Sequence, residues 1–113
     1  MPPQADLLPG TLDALILKAV SLQRQHGYGV MMRIHQITGV AFRIEEGALY
    51  PALHRLEHQG YLAGEWGVSD NNRRAKYYKL TTAGRKRLSQ AMHNWNRLAK
   101  AMNLAFNTRA EEV

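Results

Sequence analysis

A mostly α-helical fold with one small β-hairpin, three helices before the hairpin and one long helix after it, is what the sequence predicts. Three observations carry this reading. Leu49, Leu53 and Leu56 recur at i, i+4 and i+7 and are followed by Gly60, the pattern of a short amphipathic helix with a left-handed stop. From Leu62 to Leu80, two β-prone runs flank a segment rich in Gly, Ser, Asn and Asp, as in a hairpin with a long tip. Beyond it, Leu88, Met92, Trp95, Leu98 or Ala99, Met102 and Ala105 or Phe106 repeat at spacings of three and four, which predicts one helix over about residues 82–107.

Taken in order, residues 1–7 read as a flexible arm, and Pro9-Gly10-Thr11 opens the first helix. Leu12, Leu15, Ile16, Ala19 and Val20 form its apolar stripe, and Asp13 sits near the positive end of the helix dipole. His26-Gly27-Tyr28-Gly29 reads as a turn. The second helix buries Val30, Met31, Ile34 and Ile37 and is capped at Gly39; Val40 to Ile44 are expected to form a short strand.

The third helix turns Leu49, Leu53 and Leu56 inward and Ala48, Tyr50, Pro51, His54, Arg55 and His58 outward. That outer face mixes aromatic, cationic and imidazole groups with no acid, as a helix reading the major groove requires. In the hairpin, Tyr78 and Leu80 fall on one face and Tyr77 and Lys79 on the other; the Leu80 face is expected to be the buried one. Three helices and then a hairpin is the order of a winged helix-turn-helix, which places Arg73, Arg74 and Lys76 at the wing. Residues 8–81 form this DNA-binding domain, 82–107 a dimerisation helix, and 108–113 a second flexible end.

Composition agrees with a small binding module. The 113 residues leave little room for a separate catalytic domain. Lys and Arg number 15 against 9 Asp and Glu, a net charge of +6, and no acid occurs between Asn71 and Ala110. A positive field of this kind attracts phosphates without choosing a sequence, so charge by itself is also compatible with a plain basic surface. There is no cysteine, hence no disulfide and no thiolate metal ligand or nucleophile. No signal peptide and no membrane span are expected, and a cytoplasmic location fits.

The long last helix has more apolar surface than its own domain covers. A second copy is the expected partner, giving a two-fold homodimer suited to an inverted-repeat operator in double-stranded DNA. The interface is expected to hold Leu12, Leu88, Met92, Trp95, Leu98, Ala99, Met102 and Phe106.

Gly10-Thr11-Leu12, His26-Gly27-Tyr28-Gly29, the run from Gly47 to Glu57 and the run from Arg74 to Gly84 together resemble the PadR family of transcriptional regulators. Gly-x-Leu-Tyr-Pro-x-Leu with Lys-Tyr-Tyr-x-Leu-Thr is a specific combination, and the likeness covers about residues 8–107. The resemblance implies a homodimeric winged-helix repressor of its own or a neighbouring gene, of the short kind with a single C-terminal helix. Position by position it implies DNA contacts from Tyr28, Tyr50, Pro51, His54, Arg55, Arg73, Arg74 and Lys76. Two features depart from the family: Ala48 stands where Thr is common, and Glu45 and Glu46 precede the reading helix. Drug-sensing members carry an aromatic at the dimer centre, so Trp95, flanked by Met92 and Met102, is a candidate site for a small planar aromatic effector, although an aromatic at helical spacing more often simply fills a packed dimer core.

Two other functions fit parts of the sequence. A basic dimer could be architectural, binding DNA without sequence preference. The string His54-Arg55-Leu56-Glu57-His58 has the form H-x-x-E-H found in one class of zinc hydrolase, but no third ligand accompanies it. No P-loop, dinucleotide fingerprint or nucleophile triad is present. No catalytic residue, metal or cofactor is expected, and the chain reads as a regulator and not an enzyme.

Overall fold

The computed structural model describes residues 10–113. The order is α1 (Thr11–Leu22), β1 (Gln25–His26), α2 (Gly27–Ile37), α3 (Glu46–His58), β2 (Leu62–Val68), β3 (Arg74–Leu80) and α4 (Thr82–Phe106), closed by a 3-10 turn at Ala110–Glu112. The strands form one antiparallel sheet in the order β1-β3-β2. This is a winged helix-turn-helix with a long terminal helix.

Periodicity becomes a core where the stripes meet. Leu49, Leu53 and Leu56 of α3 are fully buried against Ile16 and Leu17 of α1 and Val30 and Ile34 of α2. The sheet closes this core with Leu62, Tyr78 and Leu80, the face expected to be inward. Pairing runs from Leu62 opposite Leu80 to Val68 opposite Arg74. Side chains alternate along a strand, so Leu62, Gly64, Trp66 and Val68 share one face with Leu80, Tyr78, Lys76 and Arg74.

Two of the helices, α2 and α4, begin at a side chain that satisfies one of their first free N–H groups. His26 caps α2, its Nδ1 accepting from the Gly29 amide at 3.1 Å. Thr81 caps α4: its hydroxyl accepts from the Gly84 amide at 2.9 Å and donates to the Gly60 carbonyl at 2.6 Å. Gly60, at φ +84°, is the left-handed residue that ends α3. Pro51 lies inside α3, and the carbonyl its ring leaves without a donor belongs to Gly47 in the first turn.

Several expectations fail for identifiable reasons. Val40 to Ile44 form no strand. Gly39 and Val40 both take positive φ, turning the chain back so that Ile44 is buried and its amide donates to His35 Nε2 at 2.8 Å. The short strand lies instead at Gln25–His26, within the stretch read as a turn, and pairs with Tyr78 and Tyr77. Accordingly α2 begins at Gly27, earlier than expected. Ile37, assigned to the buried side of α2, is exposed on its last turn, where the chain leaves the core. Leu17 is buried although it lies outside the expected stripe, because α1 touches α2, α3, β3 and α4. Residues 108–113 are not featureless: Arg109 pairs with Glu112 at 3.1 Å and Glu111 at 3.6 Å around the 3-10 turn. Residues 1–7 lie outside the described residues.

Candidate nucleic-acid interface

An open cleft of about 720 Å³ lies between the start of α2, the outer face of α3 and the hairpin. Tyr28, Tyr50, His54, Arg73, Arg74 and Lys76 all line it, drawn from three separate elements. Of the DNA-contacting residues expected from the sequence, only Pro51 and Arg55 do not; both are exposed on α3 beyond its edge. The cleft therefore collects aromatic and cationic side chains on one accessible side of the molecule.

Each cation in this region has a different environment. Arg55 forms a bidentate pair with Asp13 of α1, both N···O distances being 2.7 Å. That hydrogen bonding raises the Arg55 pKa, against a smaller opposing effect of desolvation. Lys76 crosses the space left by Gly64 and donates to Glu57 of α3 at 2.7 Å, which raises its pKa in the same manner. Any side chain at Gly64 would meet the Lys76 stem and the Glu57 carboxylate. Arg74 instead lies over the Trp66 ring, 4.3 Å from its centroid. The Arg73 guanidinium has no ion pair or hydrogen bond among the described residues, while its backbone amide donates to Ser69 Oγ at 3.4 Å.

Tyr50 is not on a fully open face as the spacing suggested. It is half-buried against the core, and its ring packs so close to Gly27 that a Cβ there would lie 2.6 Å from Tyr50 Cε1. Burial, and then the nearby Glu46 carboxylate, raise its pKa above the ordinary tyrosine value of 10.0. Tyr28, by contrast, is exposed at the cleft mouth. On the far side of the sheet Tyr77 holds the wing in shape, with Arg24 stacked 4.6 Å from its ring and its hydroxyl donating to the Val68 carbonyl at 3.1 Å.

Trp66 was not among the residues singled out from the sequence. The signal for it was alternation: two and four residues after the buried Leu62, positions 64 and 66 share its face and so look toward the cleft. The two ion pairs carried no such signal, joining residues 42 and 19 positions apart.

Away from the cleft, α4 leaves Met92, Trp95, Leu98, Met102 and Phe106 exposed along one stripe. Leu88, expected at a subunit interface, is instead buried in its own domain, since it lies one turn after the point where α4 packs on the core. Leu12 is likewise half-buried against that core. His54, Glu57 and His58 do not form a metal site: Glu57 is engaged by Lys76, and among the described residues no group of three His, Cys, Asp or Glu side chains is arranged to hold an ion. No helix among the described residues is long and apolar enough to cross a membrane.

Residues 16–90 match the PadR-like family of transcriptional regulators. An uncharacterised protein from Lysinibacillus sphaericus is 31% identical over 102 residues, covering 89% of this chain and 93% of its own. A transcriptional regulator from Mycobacterium tuberculosis is 41% identical over 59 residues, covering 52% of this chain and 54% of its own. The solved structure of a transcriptional regulator from Clostridium thermocellum is similar with a TM-score of 0.77 at 30% identity, covering 88% of this chain and 96% of that one. The helix order, the wing and the sequence match agree, and the chain belongs to the PadR-like family of transcriptional regulators.

Proposed function

We propose that this DNA-binding regulator acts as a homodimeric repressor of its own or a neighbouring gene. The observation that carries the reading is the cleft, where three elements bring Tyr28, Tyr50, His54, Arg73 and Arg74 to one open side. In this reading α3 enters the major groove of a half-site, with Tyr50, Pro51 and His54 against bases or groove walls. Arg73 and Arg74 hold the flanking backbone or minor groove from the wing, and Tyr28 meets a phosphate near the start of α2. Arg55 and Lys76 are neutralised within their pairs to Asp13 and Glu57, which leaves Arg73 and Arg74, among the described residues, as the unpaired cations of the wing. The winged domain spans residues 8–81 and α4 is the dimerisation helix. Family members regulate transcription and are not enzymes, and a cytoplasmic location follows from action on chromosomal DNA.

Dimerisation through α4 would set the distance between the two reading helices. Its exposed stripe supports this role, with Ala99 half-buried among the larger side chains. Trp95 lies at the middle of that stripe, flanked by Met92 and Met102. In the dimer, two such indoles would stack on a small planar aromatic effector, whose binding alters the angle between domains and hence the fit to two half-sites.

Fluorescence anisotropy with the duplex upstream of the chain's own gene and a scrambled duplex, over a range of salt, tests the repressor reading. Tight binding to the upstream duplex that survives moderate salt is expected. Equal and steeply salt-dependent binding to both identifies an architectural DNA-binding protein instead.

A further inference from the structure

Trp66 is exposed to 57% on β2, and the neighbouring Val68 to 65%. In the β2/β3 register Trp66 faces Lys76 and Val68 faces Arg74, so Arg74 is the diagonal neighbour of the indole. Its guanidinium carbon sits 4.3 Å from the ring centroid. Lys76, the directly opposite residue, is drawn inward to Glu57 and leaves the indole face to Arg74. Stacking differs from an ion pair in one respect that matters here: it uses the flat face of the guanidinium and leaves the N–H edge free. Arg55, with its donors on Asp13, lacks that freedom, and Arg73 has no side-chain partner to orient it among the described residues.

We propose that Trp66 is a positioning residue that holds Arg74 edge-outward for insertion into the minor groove of A·T-rich DNA flanking each half-site. The apolar surface around the guanidinium favours this target over an isolated phosphate. A phosphate contact leaves the exposed indole and Val68 in water, whereas the sugar walls of a narrow minor groove cover them as the cation enters. Narrow A·T-rich grooves concentrate negative potential and attract arginine. The stack also removes much of the rotamer freedom that a long cationic side chain otherwise loses on binding. The inference rests on the wing being part of the DNA-binding face.

The test uses the full chain and two duplexes of roughly three helical turns, one of A·T pairs and one of G·C pairs. Affinities are measured by anisotropy for the wild type, Trp66→Ala, Trp66→Phe, Arg74→Ala and the Trp66→Ala/Arg74→Ala double variant. The wild type is expected to prefer the A·T duplex by about fivefold to tenfold, because the narrow A·T minor groove concentrates the negative potential that attracts the presented guanidinium. Trp66→Ala and Arg74→Ala should each reduce that preference to near unity, the double variant should lose no more than either single one, and Trp66→Phe should restore most of it. Melting curves confirm that the exposed substitutions leave the fold intact. Additive losses of equal size on both duplexes overturn the positioning role while leaving the DNA-binding face in place. A wild type that binds both duplexes equally, or fails to prefer the A·T one, overturns the minor-groove target.

Discussion

Tyr50 has two roles within one side chain. Its ring packs against Gly27 and the core edge, and the same residue lines the cleft. Tyr50→Ala therefore removes packing as well as any DNA contact, and a loss of about 1–2 kcal/mol of stability is expected, below the range for a fully buried aromatic. Tyr50→Phe isolates the hydroxyl: melting should hardly change while affinity for the specific duplex falls, and undiminished affinity would remove that hydroxyl from the reading surface. Tyr50 and the buried Tyr78 also set a pH limit. Burial is the leading cause that raises both pKa values above 10.0, with Glu46 adding to the effect at Tyr50, and Glu57 and Tyr50 adding to it at Tyr78 while Lys76 opposes it. The neutral phenols are thus favoured by the fold. Their contribution is complete below the unfolded-state value near 10 and is lost as pH rises through the higher folded values. Thermal melts should stay level through neutral pH and decline in strong alkali, with the decline moved to higher pH in Tyr50→Phe/Tyr78→Phe. An unmoved decline would assign alkaline unfolding to other groups.

At the scale of elements, the link between α2 and α3 concentrates strain in one residue. Val40, β-branched and largely exposed, takes φ +57° immediately after Gly39 at +61°. A left-handed conformation costs an ordinary L-residue roughly 1–2 kcal/mol, and asparagine much less. Val40→Asn is expected to raise stability by about 1 kcal/mol, read as a higher midpoint in urea at unchanged slope; a lower midpoint would show that the valine side chain contributes packing that outweighs the strain. This turn is also where sequence legibility ends. The stripes of α3 and α4 and the inward face of the hairpin were readable because a period of 3.6 or 2 repeats within one element. In the link, expected as a strand, Val40, Phe42 and Ile44 do alternate, yet Ile44 is fixed by a hydrogen bond to His35 on another element. β1 has only two residues, too few for any period, and exists because β3 presents an edge to it. Arg55 was assigned to DNA by its helix face and by the family resemblance, with pairing to an acid as the alternative, and the carboxylate that engages it belongs to α1, far away in sequence.

At the scale of the whole molecule, the described residues measure 63 × 36 × 21 Å, long because α4 runs beyond the domain it starts on. Twenty-five helical residues span about 37 Å, and past Leu88 none of the large apolar side chains of α4 is buried. A stripe containing Trp95, Met102 and Phe106 in water is unfavourable for an isolated chain, and a second copy provides the same stripe for mutual burial. Because Trp95 is 55% exposed in the single chain, Trp95→Asp should not disturb the winged domain, and its melting by circular dichroism should retain a cooperative transition. Light scattering after size exclusion should then change from twice the chain mass of 12.8 kDa to that mass alone. Binding to a duplex with two half-sites should weaken by roughly 100-fold or more, since two linked contacts become two independent ones, while binding to a single half-site changes little. If Trp95→Asp remains a dimer, the α4 stripe is not the interface. If it becomes a monomer and still binds the two-half-site duplex at full strength, recognition does not depend on two-fold symmetry, and an inverted-repeat operator is ruled out.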